Sequence, residues 1–147
     1  MIEVRSAKGL GKISVRWIKK VISRTLESEK AKRRSVTVLL TNDQEIRRLN
    51  KRYLRHDRAT DVISFWLEEN SLTRTEADYL GDVALSVEMA GRTAKRMGIP
   101  FREELARYLV HGVLHLLGYQ DENPRDKKVM EERQERLLCL IAPFSKA

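Results

Sequence analysis

The stretch His111-Gly112-Val113-Leu114-His115-Leu116-Leu117-Gly118-Tyr119-Gln120-Asp121 constrains this 147-residue chain more than any other. Two of the protein's three histidines stand four residues apart inside an apolar run. On a helix that spacing stacks both imidazoles on one face, one turn apart, where they can share a cation. Gly118 lets the chain leave the helix, because a residue without Cβ takes the left-handed conformation at little cost. The following loop can then return a third ligand, and Asp121 is the first candidate. A plainer reading exists: two core histidines bonded to backbone or water. The glycine and the carboxylate beyond it favour metal, since Zn²⁺ takes imidazole and carboxylate together and catalytic zinc sites use three protein ligands. The expectation is one Zn²⁺ per chain, held by His111, His115 and Asp121.

Two histidines four apart, a glycine three later and a ligand three beyond it also end the zinc pattern of metzincin peptidases. Peptidases of the HExxH type place a glutamate beside the first histidine as general base. Here that place is Gly112. A metal site is expected, and a peptidase site is not.

The rest of the chain reads as alternating elements. Ile2–Val4 is a short strand, followed by a loop at Gly9-Leu10-Gly11. From Lys12 to about Ser28 the pattern is helical, with Trp17, Ile18, Val21 and Ile22 on the core side. Ser35–Leu40 is a β-branched strand. Thr41 or Asn42 can cap a helix over Asp43–Tyr53, acidic in its first turn and basic later, as the helix dipole favours. Residues 55–60 form a polar loop, Asp61–Leu67 a strand, and Glu68–Asp78 a charged excursion without apolar periodicity. Tyr79–Val87 is the next strand, with Gly81-Asp82 a candidate for a bulge or a close approach. Ser86 or Val87 begins a short helix that Gly98 and Pro100 break near Met97. The histidine helix follows from Phe101 to Leu117. A last amphipathic helix runs from Asn123-Pro124 to about Leu140, burying Val129, Met130, Leu137 and Leu138. This order predicts an α+β fold, a mixed four-stranded sheet packed with about five helices, with the metal-bearing helix as its central buried element.

At this length a chain builds one domain, residues 1–147, with a core that needs no staples. Hydrophobic residues at 41% and charged ones at 34% describe a globular protein with a heavily charged surface. Cys139 is the single cysteine, which excludes an internal disulfide; its leucine neighbours point to a buried apolar thiol. No run approaches 18 uninterrupted apolar residues and no signal pattern opens the chain, so a cytoplasmic protein without membrane partners is expected. The net charge of +8 is uneven: residues 5–34 hold eleven Lys and Arg against Glu27 and Glu29. Lys12, Arg16, Lys20 and Arg24 recur every four residues as a stripe suited to a polyanion, nucleic acid before membrane, or to a solvated face that only keeps the protein soluble.

Three segments carry a family resemblance. HGVLHLLGYQD resembles the HGxLHLxGYDH signature of the YbeY endoribonucleases. Thr60-Asp61-Val62-Ile63-Ser64-Phe65 is similar to that family's TDVLSF segment, and Leu80–Ser86 to its LGDI-x-IS strand. The resemblance implies an α+β fold and a zinc-dependent, single-strand-specific endoribonuclease acting in small-subunit (16S) rRNA maturation and ribosome quality control. It also implies the small ribosomal subunit and its assembly proteins as partners. This chain departs from the pattern at Asp121, where the family has its third metal histidine, and at Gln120, usually Asp. Tyr53-Leu54-Arg55 stands where many members have Tyr-Arg-Gly, which shifts the arginine by one.

The candidate catalytic residues are Arg55, His111 and His115, and the RNA-binding candidates Lys12, Arg16, Lys20, Arg24 and Arg55. Arg55 has the forked donors to clamp a scissile phosphate. His56 is read as a surface or substrate-contact residue, with a relocated ligand role as the alternative. Asp82 and Ser64 either face the metal cleft or brace backbone. No side chain stands out as general base, and water and the RNA's own 2′-hydroxyl remain alternative nucleophiles. The rival functions are a non-catalytic ribosome-assembly factor with a structural metal, and the zinc peptidase that Gly112 disfavours.

Overall fold

Strands form where β-branched and apolar residues run together without a helical period. Among the described residues four stretches do so: β1 (Ile2–Ser6), β2 (Ser35–Thr41), β3 (Val62–Phe65) and β4 (Tyr79–Ser86). β4 is buried throughout and β2 nearly so, as strands covered on both faces must be. In this computed structural model, which describes residues 1–54, 62–65 and 78–144 without the side chains of Tyr53, Leu54 and Phe65, the strands make one sheet of order β1-β2-β4-β3. β1 runs parallel to β2 and β2 to β4, while β3 is antiparallel to β4. The sheet is four-stranded and mixed, as expected. Arg55, His56, Asp61 and the charged excursion up to residue 77 lie outside the described residues.

The bulge falls one residue earlier than the Gly81-Asp82 expectation. Ser35 pairs with Tyr79 and Val36 with Gly81, so Leu80 is the extra residue. Gly81 follows it at φ 145°, a backbone that favours glycine.

Five helices among the described residues cover the sheet: α1 (Val15–Ser28), α2 (Asp43–Leu54), α3 (Val87–Met97), α4 (Phe101–Leu116) and α5 (Pro124–Ile141). Alternation along the strands decides which face each residue serves. Val36, Val38 and Leu40 of β2, with Val83 and Leu85 of β4, pack beneath α1, α4 and α5. On the opposite face Leu39, Ile63 and Ala84 meet Ile46 and Leu49 of α2. α4 is the central element. Its Leu105, Ala106, Leu109, Val110, Val113 and Leu114 are wholly buried, and it touches α1, α3, α5, β3 and β4.

Side-chain pairs show the helix directions. The guanidinium of Arg102, near the start of α4, lies over the Trp17 ring near the start of α1, 5.1 Å from its centroid. Tyr119, just past the end of α4, meets Glu29 just past the end of α1. α1 and α4 are therefore parallel. α5 is antiparallel to both, with Gln134 at His111, Glu135 at Arg107 and Arg24 at the Leu140 carbonyl.

Three sequence expectations need correction. The Ser14 hydroxyl accepts from the Trp17 amide and starts α1 at Val15, so Lys12 lies in the preceding coil and not on the helical stripe. Cys139 is exposed, and so is Val129. The buried side of α5 is Met130, Gln134, Leu137 and Leu138. One residue further along a helix turns about 100°, which carries Cys139 and Leu140 past the core edge whatever their neighbours are.

Candidate metal centre

The last turns of α4 present His111 and His115 with ring centroids 4.7 Å apart and ring planes nearly perpendicular. Gly118 at φ 106° then turns the chain. The Gly118 amide donates to the His115 carbonyl and the Tyr119 amide to the Leu114 carbonyl, which closes the helix end. The turn returns Asp121 to the imidazoles: its Oδ2 lies 3.3 Å from His115 Nε2 and 3.8 Å from His111 Nε2. One donor atom from each of the three residues lies within 4.8 Å of the other two. Donors at corners of a tetrahedron with zinc-ligand radii sit about 3.3 Å apart, so the arrangement fits a cation of that size.

The outer contacts strengthen this fit. His115 Nδ1 lies 3.0 Å from the Tyr119 carbonyl. A carbonyl only accepts, so this nitrogen carries the ring proton in a neutral imidazole and Nε2 turns a lone pair towards Asp121. His111 Nδ1 lies 2.8 Å from Gln134 Oε1. Lone-pair nitrogens and a carboxylate oxygen converging on one point repel one another unless a proton or a cation comes between them. Metal-bound histidines are held in this way, with the second ring nitrogen donating to a fixed acceptor.

The loop that carries Asp121 is anchored at a distance. The Tyr119 hydroxyl donates to Glu29 Oε1 at 2.9 Å, and Arg133 holds both oxygens of Glu29 at 3.1 Å. Burial, and then the hydrogen bond to Glu29, push the Tyr119 phenol above its usual range. Glu29 raises Arg133 further above an already high value.

Gly112 is where the helix meets the sheet. A Cβ built there would lie 2.5 Å from Val83 Cγ1 and 3.2 Å from Val62 Cγ2. The Ser64 hydroxyl donates to the Gly112 carbonyl at 2.8 Å. Of the two strand residues singled out in the sequence, Ser64 therefore braces the backbone of α4. Asp82 lies on the other face, fully buried, and accepts from the Tyr79 hydroxyl at 2.6 Å. It does not face the histidines.

Arg16, Lys20 and Arg24 are exposed along α1, and Arg24 donates to the Leu140 carbonyl at 3.4 Å. The last turn of α1, at the end that meets Tyr119, carries no basic residue. A broad cleft of about 770 Å³ opens elsewhere, on the α2 side of the sheet, where Arg5, Arg48 and Arg52 line it and none of the three candidate ligands does. Its volume is no guide to the chemistry, because the converging donors lie outside it.

The family profile described as Endoribonuclease YbeY matches residues 4–141. The chain belongs to the YbeY family. Proteins named Endoribonuclease YbeY from Syntrophus aciditrophicus and Syntrophotalea carbinolica are 34% and 36% identical to it. Those alignments cover 95% and 96% of this chain and 89% and 95% of the relatives. The solution structure of a Thermotoga maritima protein superimposes with a TM-score of 0.65 at 27% identity, covering 96% of this chain and 89% of that one. Within this YbeY fold, Gln134, Tyr119, Glu29 and Arg133 are the site residues that sequence reasoning missed. A polar Gln134 at a core-facing position between Met130 and Leu137 was the one available signal.

Proposed function

We propose that this chain is a cation-dependent endoribonuclease that cuts single-stranded RNA in small-subunit rRNA maturation. In this reading residues 1–147 act as one catalytic unit in the cytoplasm, on rRNA and in company with the small ribosomal subunit and its assembly proteins. The carrying observation is the convergence of His111 Nε2, His115 Nε2 and Asp121 Oδ2 in a chain of a family named for endoribonuclease activity. No helix among the described residues is long and apolar enough to cross a membrane.

His111, His115 and Asp121 would hold one Zn²⁺. Bound there, it would stabilise negative charge that gathers on the phosphate oxygens during cleavage. The protein's own part is to hold both imidazoles by Nδ1 on fixed acceptors, with Nε2 turned inward, and to keep Asp121 against them. With one carboxylate among the ligands the loaded site would carry formal charge +1, against +2 for three histidines, and would polarise a phosphate less strongly. Arg55 is assigned the phosphate clamp. Arg16, Lys20 and Arg24 are assigned the RNA backbone, with Lys12 contributing from the coil before α1.

The close approach of Gly112 to Val83 weighs against the peptidase reading, since a glutamate there has no room on that side of the helix. Against a purely structural metal stands the ligand count: closed zinc sites use four protein donors, and three converge among the described residues. The test is to incubate zinc-loaded protein with single-stranded RNA, duplex RNA and unfolded casein. Cleavage of single-stranded RNA alone, abolished in His111→Ala and His115→Ala, is the expected result. Intact RNA with bound metal would return the assembly-factor reading.

A further inference from the structure

Gln134 sits almost fully buried on α5 with a side chain that can make two different hydrogen bonds, and its surroundings permit only one arrangement. Its amide nitrogen lies 3.0 Å from Glu135 Oε2 and its amide oxygen 2.8 Å from His111 Nδ1. Glu135 is in turn gripped by Arg107, whose Nε and one terminal nitrogen each stand 3.0 Å from a carboxylate oxygen. Arg107 also donates to the buried Glu104 at 2.7 Å. That fork, ahead of any other influence, holds the Glu135 carboxyl below its ordinary range and keeps it an acceptor.

The logic then runs inward one bond at a time. An ionised carboxylate can only accept, so the Gln134 nitrogen must face Glu135. The amide oxygen consequently faces His111, and it too can only accept. His111 Nδ1 must therefore carry a hydrogen, which in the neutral ring leaves Nε2 as a lone pair directed at Asp121. An amide otherwise free to flip is oriented by a carboxylate that never touches the histidine.

We propose that Arg107, Glu135 and Gln134 form a positioning relay that sets the His111 tautomer, with Gln134 as the residue through which the relay acts on the candidate ligand. This rests on the metal reading above, and it assigns a role to the relay beyond that reading. His115 has its own fixed acceptor, the Tyr119 carbonyl, so the two histidines are set independently.

The experiment measures ring-nitrogen chemical shifts of both histidines by NMR in metal-free protein, and Zn²⁺ affinity by competition with a chelator. The variants are Gln134→Leu, Gln134→Glu and Glu135→Ala. In the parent, both rings should carry hydrogen on Nδ1. Gln134→Leu should move His111 towards the Nε2-protonated form, leave His115 unchanged, and weaken Zn²⁺ binding by about 10–100-fold. Gln134→Glu, which keeps an acceptor at His111, should restore the tautomer and most of the affinity. Glu135→Ala, at a half-exposed surface position, supplies the same test without disturbing the core; it should give a mixed His111 tautomer and a smaller loss. An unchanged His111 tautomer in Gln134→Leu and Glu135→Ala overturns the relay, as does a changed tautomer with parental affinity. A parent protein that takes up no Zn²⁺ fails the metal reading instead, and the tautomer measurement still decides whether Gln134 orients His111.

Discussion

At Gly112 one hydrogen atom separates close packing from overlap. A methyl there would press on Val83, a β-branched side chain of a central strand with little freedom to turn away. Gly112→Ala gains up to about 1 kcal/mol in helix propensity, while overpacking of this kind costs about 1–3 kcal/mol, so the variant should be less stable. Urea unfolding checks the sign, and Gly112→Ala combined with Val83→Ala should recover part of the loss. A single variant as stable as the parent would show that the approach has slack. At the neighbouring site the decisive residue is Asp121. Asp121→Ala should lose most of its Zn²⁺ affinity while Glu122→Ala, exposed and one residue further along, keeps it; equilibrium dialysis separates the two. The reverse result would hand the third-ligand role to Glu122. Both sites were legible as letters, a missing glutamate at 112 and a carboxylate ten residues after His111. What the letters could not carry was the reason position 112 is glycine, because Val83 and Val62 reach it only through the fold.

Among elements, α4 was readable because the stretch from Tyr108 to Leu116 is apolar apart from its two histidines and Gly112, and its ends are marked by Pro100 and Gly118. α5 was harder. Its Cys139 stands among leucines yet is exposed, since local composition says nothing of which side of a helix faces inward. Its contribution to the centre is polar and distant, Gln134 against His111 and Arg133 against Glu29, and pairs made across more than twenty residues leave no spacing to read. The stripe on α1 was legible in its helical part and misread at Lys12, where Ser14 rather than the charge period decides the start. If Arg16 and Lys20 contact phosphates, replacing both with Gln should reduce the slope of log affinity against log salt by about 1–2, since each contact on a single strand releases roughly 0.7 counterion. Titrations of single-stranded RNA at several salt concentrations measure it. An unchanged slope would make the stripe a solvated face.

For the whole molecule, the Arg107–Glu135 contact ties α4 to α5 and should appear in acid stability. The depressed Glu135 pKa means that the folded state holds its proton less tightly than the unfolded chain. The stabilisation is complete above the ordinary glutamate range and disappears as pH falls through the lowered value. Glu135→Gln should therefore be less stable than the parent at neutral pH, and the two should converge on the acid side. Unfolding midpoints over a pH series test this, and a gap that persists at acid pH would assign it to packing instead. The Tyr119 anchorage bears on time rather than on affinity. Asp121 is returned by a loop fastened to Glu29, ninety residues earlier in the chain from Tyr119, and through it to Arg133. For the loop to peel back and carry Asp121 with it, Tyr119 must first leave Glu29, which Arg133 keeps in place. Where release of a bound cation runs through opening of that loop, the anchorage would slow it, so a cation of modest affinity would still exchange slowly by that route.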